Sequence, residues 1–475
     1  MGDREPIAGA DNAWRRIGTI DNLTTITGVL WFEEAIGYEE LCDRLEDRLL
    51  RFERFQQRPG GRNRLFRRPY WETVEEFDVE THVQHVALPE PADTETFQRF
   101  VGRMMSRPLD QRRPLWEAYL VEGAGDGNAV AFRINHSVGD GFALMYVLFG
   151  LVDNPEEIEF PMGIVPEPPS ADEFQAEAAA DGGTAPGADP DVDAPAPGSD
   201  AGGEPDRPGT APTLDGVLES VRLAGSAVRT GWNLLTQADE TETSLRGDLG
   251  TAKRAGWTDE IDLSTVRAIG SEHDATVNDV LLGALAGAFR RLLADRGEPV
   301  EGRELRVTVP VNLRPMAERD ASLGNHFGMA FVPIPVGTPE LGERLRLIHD
   351  RMSVRRAGIQ AYLMYLTMRV GGHAPDVVME WLMGQFERRA TGVVTNVPGP
   401  TDAMEFAGRE VTDLMFWVPQ ANDQGLGISI MSYDGAVRLG IAADANLLDD
   451  PDELAETFRE EIEHLAEASD AVGDA

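Results

Sequence analysis

Residues 128–141 read Asn128-Ala-Val-Ala-Phe-Arg-Ile-Asn-His-Ser-Val-Gly-Asp-Gly141. Up to Asn135 the run is mostly apolar, which predicts a strand. The strand runs out at Asn135, so His136 falls at its end, where side chains face a cleft. Asp140-Gly141 then makes a tight turn, and a helix is predicted from about Gly141 to Leu151. Asp140 can hydrogen-bond local backbone or pair with an arginine, and either would fix the loop that carries His136. A histidine suits base catalysis near neutrality, because its unperturbed pKa of about 6.5 lies close by. An H-x-x-x-D-G string is short enough to arise as a plain polar turn, so both readings stand at this point.

Outward from this stretch, Trp116–Glu122 is predicted as the preceding strand, joined through the Gly-rich turn 123–127. Tyr38–Phe55 and Thr94–Met105 carry apolar residues at helical spacing. Downstream, Leu214, Val217, Leu218, Val221, Val228 and Leu235 share one helix face, and Val277–Leu293 is a second helix. Strands are predicted at Leu305–Val311 and Met329–Ile334. Ile428–Tyr433 and Ala436–Ile441 form a hairpin on an Asp434-Gly435 turn. Leu454–Ala468 is an acidic amphipathic helix. Strands and helices mix irregularly, so the class is α/β or α+β.

The 475 residues exceed one ordinary core and predict two domains. Residues 166–212 are built mostly from Pro, Ala, Gly, Asp and Glu, with Phe174 the only aromatic, and cannot bury enough apolar surface to offset their ordering entropy. They read as a disordered acidic linker between domains at 1–165 and 213–475.

Charge sets the environment. The chain has 82 acidic and 43 basic residues, a formal net of -39, and Lys253 is its one lysine. The acids are spread along the chain, which makes nucleic acid and anionic membranes poor electrostatic partners. Dispersed acid with almost no lysine points to a cytosol with molar salt. Stability and activity are therefore expected to rise as KCl goes from about 0.1 M, where the Debye length is about 10 Å, to molar levels, where it is about 3 Å. A thermal melt and activity series across KCl checks this; identical behaviour at both ends would remove the high-salt reading. Cys42 is the one cysteine, so no intrachain disulfide forms, and its place beside a helical apolar stripe reads as a buried structural thiol. Met1–Pro6 shows no apolar signal region. No uncharged apolar run approaches the ~18 residues that span a membrane. A cytoplasmic place is expected, with peripheral contact to membrane or lipid droplets left open.

Further segments extend the pattern around His136. They are Ser106-Arg-Pro-Leu-Asp-Gln-Arg-Arg-Pro-Leu-Trp-Glu117, Asn278-Asp-Val-Leu281, Val309-Pro-Val-Asn-Leu-Arg314, Gly324-Asn325 and Ser432-Tyr-Asp-Gly435. Together with Asn135–Gly141 they resemble the bacterial-type wax ester synthase/diacylglycerol acyltransferase family, over most of the chain outside the linker. That family belongs to the coenzyme A-dependent acyltransferases, with chloramphenicol acetyltransferase and condensation domains. Its motif is H-H-x-x-x-D-G, and Asn135 stands here in place of the first histidine. Asn135 keeps hydrogen-bonding capacity but cannot titrate.

The resemblance implies two chloramphenicol-acetyltransferase-like domains, with mixed sheets flanked by helices and the active site in a tunnel at their interface. It implies transfer of a long-chain acyl group from acyl-CoA to diacylglycerol or a fatty alcohol, with His136 as general base. Acyl-CoA is then a co-substrate, and no other cofactor and no metal is required. Asp140 and Gly141 would support the loop, with Arg314 as the partner of Asp140. Asn278 and Asn325 would give polar support, and Thr395 and Asn396 would line the substrate. Residues 393–400 read as a loop shaped by Pro and Gly. Trp381, Met383 and Phe386 read first as core and second as an acyl pocket. Phe142, Leu144, Met145, Leu148 and Phe149 also read as core, with a lipid-facing patch as the other reading. His82 and His85 read as structural, because in a strand their rings face opposite sides. Two rival functions remain: a condensation-like transferase using another hydroxyl or amine, and a degenerate protein that only binds acyl-CoA or lipid.

Overall fold

The strands predicted on either side of the 123–127 turn form, and a third strand from the N-terminus completes the surface behind His136. The computed structural model describes residues 4–61, 68–155, 242–313, 323–352, 354–375, 378–379, 389–420 and 423–473, with backbone alone at 354–359 and 469–473. The predicted linker over 166–212, the predicted helix over 214–235, Arg314, and the cluster of Trp381, Met383 and Phe386 lie outside them.

The strands are β1 (Arg4–Pro6), β2 (Thr25–Phe32), β3 (Gln57–Gly60), β4 (Tyr70–Thr73), β5 (Val83–Ala87), β6 (Trp116–Glu122), β7 (Asn128–Asn135), β8 (Lys253–Trp257), β9 (Ile261–Asp262), β10 (Leu305–Asn312), β11 (Phe327–Ile334), β12 (Gly392–Pro398), β13 (Glu405–Phe406), β14 (Arg409–Trp417), β15 (Leu426–Tyr433) and β16 (Ala436–Asp444). The helices are α1 (Gly9–Ile17), α2 (Tyr38–Arg48), α3 (Thr94–Met105), α4 (Gly141–Leu151), α5 (Leu263–Glu272), α6 (Val277–Asp295), α7 (Leu341–Arg351), α8 (Val354–Gly371) and α9 (Pro451–Gly473).

Among the described residues these strands build three sheets. One runs β13-β14-β2-β7-β6-β5, and one runs β11-β10-β12-β15-β16-β8 with β9 also on β16. The third is the small sheet β1-β4-β3. β14 comes from the C-terminal half yet pairs with β2, so the sheet that carries His136 draws on both ends of the chain. Its core is filled by residues such as Val29, Leu45, Trp116 and Val130. The second core gathers Leu285 and Phe289 of α6, Phe458 of α9, and Ile428 and Leu439 of the hairpin.

Local chemistry explains the boundaries. Thr276 Oγ1 accepts from the Asp279 amide at 3.2 Å while Asp279 accepts from the Thr276 amide at 2.9 Å, a capping box that starts α6. Asp434 and Gly435 have φ of 43° and 78°, the left-handed pair that a tight hairpin needs between β15 and β16. Residues 393–400 correct the sequence reading. They are mostly strand β12, which pairs in parallel with both β10 and β15. Pro and Gly drew the loop assignment, but they stand at the strand's end, while Val393, Val394 and Val397 are buried along it. Cys42 is a buried free thiol on α2, in no disulfide. The one lysine is also interior: Lys253 Nζ lies 2.6 Å from Asp444 Oδ2, and both side chains are buried. No helix of the described residues is long and apolar enough to cross a membrane.

Candidate active site

His136 leaves β7 on a turn that its neighbours brace. The Asn135 side-chain oxygen accepts from the Ser137 amide at 3.0 Å and from Ser137 Oγ at 2.6 Å. Its amide nitrogen donates to Thr24 Oγ1 at 3.3 Å. The His136 amide donates to the Thr24 carbonyl at 2.8 Å, so the turn is tied to the segment before β2. Asn135 thus works as a turn-closing side chain, a task an uncharged amide performs without titrating.

The imidazole is held by Asn325, which lies 189 residues away in sequence. Asn325 Nδ2 donates to the His136 carbonyl at 2.8 Å and to Asp11 Oδ1 at 2.9 Å. Both of those partners are acceptors, so the amide oxygen is the atom facing His136 Nδ1, at 2.8 Å. Nδ1 must therefore carry the proton, which leaves Nε2 with its lone pair. Among the described residues Nε2 makes no hydrogen bond. The ring stacks on Trp14 at 4.3 Å between centroids and leans on Phe327 at 5.2 Å. Burial pushes the His136 pKa below its usual value, against the opposing charge of Asp140 and the bond to Asn325. The neutral imidazole therefore prevails at pH 7.

Asp11 is the remote member of this chain. It is buried, accepts also from the Asn325 amide at 2.8 Å, and has its pKa raised to about 6 by burial. Asp11 and Trp14 lie three apart on α1, so one helix face presents both. α1 packs against α8 at close range: a Cβ on Gly9 would lie 1.8 Å from the Arg369 carbonyl oxygen. Sequence reasoning missed Asp11, Trp14 and Phe327. The available signal was an acid at 11 beside the apolar stripe Ala10, Trp14 and Ile17.

Asp140 caps α4. Its Oδ1 accepts from the Ala143 amide at 2.8 Å, and its Oδ2 from the His326 amide at 2.9 Å. The carboxylate thus stitches the His136 loop to the segment that carries Asn325. Gly141 begins α4 and lines the cavity below. Asp140→Ala should cost about 2–4 kcal/mol, the sum of a lost helix cap and a buried amide left unpaired. Melting temperature and activity are expected to fall together; lost activity at unchanged melting temperature would put Asp140 in the chemistry instead.

A cavity of about 180 Å³ opens beside His136. Its wall is apolar for most of its extent, with residues from β2, β7 and β14, from α4, and from β10, β11 and β12. Phe142, Leu144, Met145 and Leu148 all line it. The apolar character of α4 therefore serves this cavity, where sequence alone offered core packing or an outward lipid patch. The polar side chains in the wall include Asn312, Thr395 and Asn396. Asn396 Nδ2 donates to Asn278 Oδ1 at 3.1 Å, so Asn278 supports the wall from the start of α6. The other histidine pair serves elsewhere: His85 pairs with Glu122, and His82 stacks on Trp116.

Comparison with known proteins places this geometry. Residues 8–281 match the wax ester synthase/diacylglycerol acyltransferase catalytic domain, and residues 323–466 match the WS/DGAT C-terminal domain. A probable diacylglycerol O-acyltransferase of Mycobacterium tuberculosis is 28% identical over 442 residues, covering 92% of this chain and 89% of that protein. A solved wax ester synthase/diacylglycerol acyltransferase from Marinobacter aquaeolei superposes with a TM-score of 0.65 at 18% identity, covering 98% of this chain and 99% of the other. The starter condensation domain of rhizomide synthetase, solved with C8-CoA, has a TM-score of 0.55 at 12% identity, covering 98% and 95%.

Proposed function

The chain belongs to the wax ester synthase/diacylglycerol acyltransferase family and is an O-acyltransferase, and from that premise we propose that it moves a long-chain acyl group from acyl-CoA to diacylglycerol or a fatty alcohol with His136 as the base. The observation that carries this reading is a buried imidazole whose Nδ1 faces the Asn325 amide oxygen at 2.8 Å, in the wall of an apolar cavity. Nε2 takes the proton from the acceptor hydroxyl. The alkoxide attacks the thioester carbonyl, and the tetrahedral oxyanion needs donors about 3 Å away. Thr395 and Asn396 in the cavity wall are the candidates for that role. The carbon–sulfur bond then breaks, and the CoA thiolate takes the proton back from Nε2. Acyl-CoA serves as co-substrate, with no further cofactor, in a cytosol of high salt and at the margin of a lipid phase.

The test is CoA release from palmitoyl-CoA at high salt, with and without hexadecanol or diacylglycerol. Release that depends on the alcohol and matches ester formed supports the reading. Release to an amine but not an alcohol would favour a condensation-like enzyme. Tight palmitoyl-CoA binding without turnover would leave a binding protein.

A further inference from the structure

The floor of the cavity contains a glycine that neither backbone nor packing requires. Gly28 lies in the middle of β2, between Phe132 of β7 and Phe416 of β14. A glycine inside a central strand weakens it, and marks a bulge, a bend, or a place where a ligand or backbone comes close. The β2–β7 register runs unbroken from 25 to 32, so there is no bulge at this position. Gly28 is not among the glycines with positive φ. A Cβ built there would meet nothing nearer than the Met415 carbonyl at 3.8 Å and Phe416 Cβ at 4.0 Å, which is ordinary contact. Ligand approach is the explanation that remains.

The surroundings fit a chain-shaped ligand. Directly opposite residues of an antiparallel pair share one face, and Phe132 and Phe416 both line the cavity with Gly28. The rows on either side carry Ile26 facing Ile134 and Leu30 facing Leu414. Gly28 therefore opens a trough between two aromatic walls. Thr25 pairs with Asn135, the neighbour of His136, and three strand residues further on is about 10 Å. An extended chain covers about 3.5 Å in three bonds, so the trough lies roughly eight carbons from the reacting carbonyl.

We propose that Gly28 sets the length of the acyl chain, by leaving the trough through which the donor's chain passes beyond about its eighth carbon. This rests on the acyltransferase reading above. A side chain at position 28 closes the trough and leaves His136 and its supports untouched.

The experiment compares palmitoyl-CoA and octanoyl-CoA, with one alcohol acceptor, in wild type, Gly28→Ala and Gly28→Leu. With leucine, kcat/KM for palmitoyl-CoA is expected to fall roughly 10–200-fold while that for octanoyl-CoA stays within about threefold. Alanine, the smaller change, should give a smaller shift of the same sign. Melting temperature should hold or rise, since a strand interior disfavours glycine. Three results would overturn the proposal: equal losses for both donors, no change for either, or a shift in the preferred alcohol length instead of the acyl length. Should wild type transfer no acyl group at all, the acyltransferase reading fails by itself. Equilibrium binding of the two acyl-CoAs then decides on Gly28: selective loss of palmitoyl-CoA binding in the leucine variant supports the trough, and equal binding refutes it.

Discussion

His136→Ala is expected to lose about 10²–10⁴-fold in kcat, the usual contribution of a general base, with melting temperature and palmitoyl-CoA binding nearly unchanged. The size follows from the geometry. Nε2 is the atom of this ring free to take a proton, because Nδ1–H is committed to Asn325. The loop itself does not depend on the imidazole: Asn135 closes the turn and Asp140 caps α4 through bonds that alanine leaves in place. Paired thermal melts and steady-state kinetics check both halves of the expectation. A variant that kept more than about a tenth of wild-type activity would remove His136 as the base.

Asn325→Ala is the second large effect, on the order of 10²-fold in kcat with KM for acyl-CoA little changed. Groups that fix a catalytic imidazole and its tautomer are worth factors of this size or more. The substitution frees Nδ1, so the proton can sit on either nitrogen, and it strips buried Asp11 of its side-chain donor, leaving only the backbone amide of residue 325. Asp11→Asn makes a milder companion, because it keeps an oxygen for the Asn325 donors and removes only the charge. Its loss should be less than about tenfold. Full activity in Asn325→Ala would mean that the stack on Trp14 alone orients the ring.

The parts of this site that a sequence shows well are those whose partners are near in the chain. Residues 128–141 set out strand, turn and helix in order, and β7 and α4 follow them. The Asp434-Gly435 turn announced its hairpin for the same reason. β2 and β14 were not legible, because strand pairing between residue 28 and residue 416 leaves no local mark. β12 was misread because Pro398 and Gly399 outweighed three buried valines. Asn325 could be picked out as polar support, yet its role as the clamp on Nδ1 depends on Asp11, 314 residues away. The apolar run in α4 has the same composition whether it faces core, lipid or a cavity, so only the packed structure distinguishes them.

The central claim is that a neutral His136, buried beside an apolar cavity, removes the acceptor's proton. The pH profile of kcat/KM for alcohol-dependent CoA release tests it most directly, since that profile reports the essential base of the free enzyme. Burial lowers the His136 pKa, so the base form is complete at neutral pH and is lost only as pH falls through that lowered value. The expected profile is flat through neutrality with one acid limb centred below about 6.5, the ordinary histidine value, and without that limb in the residual rate of His136→Ala. A rate that climbs steadily from about pH 7 to about pH 9, or an acid limb that persists unchanged in His136→Ala, would contradict the account.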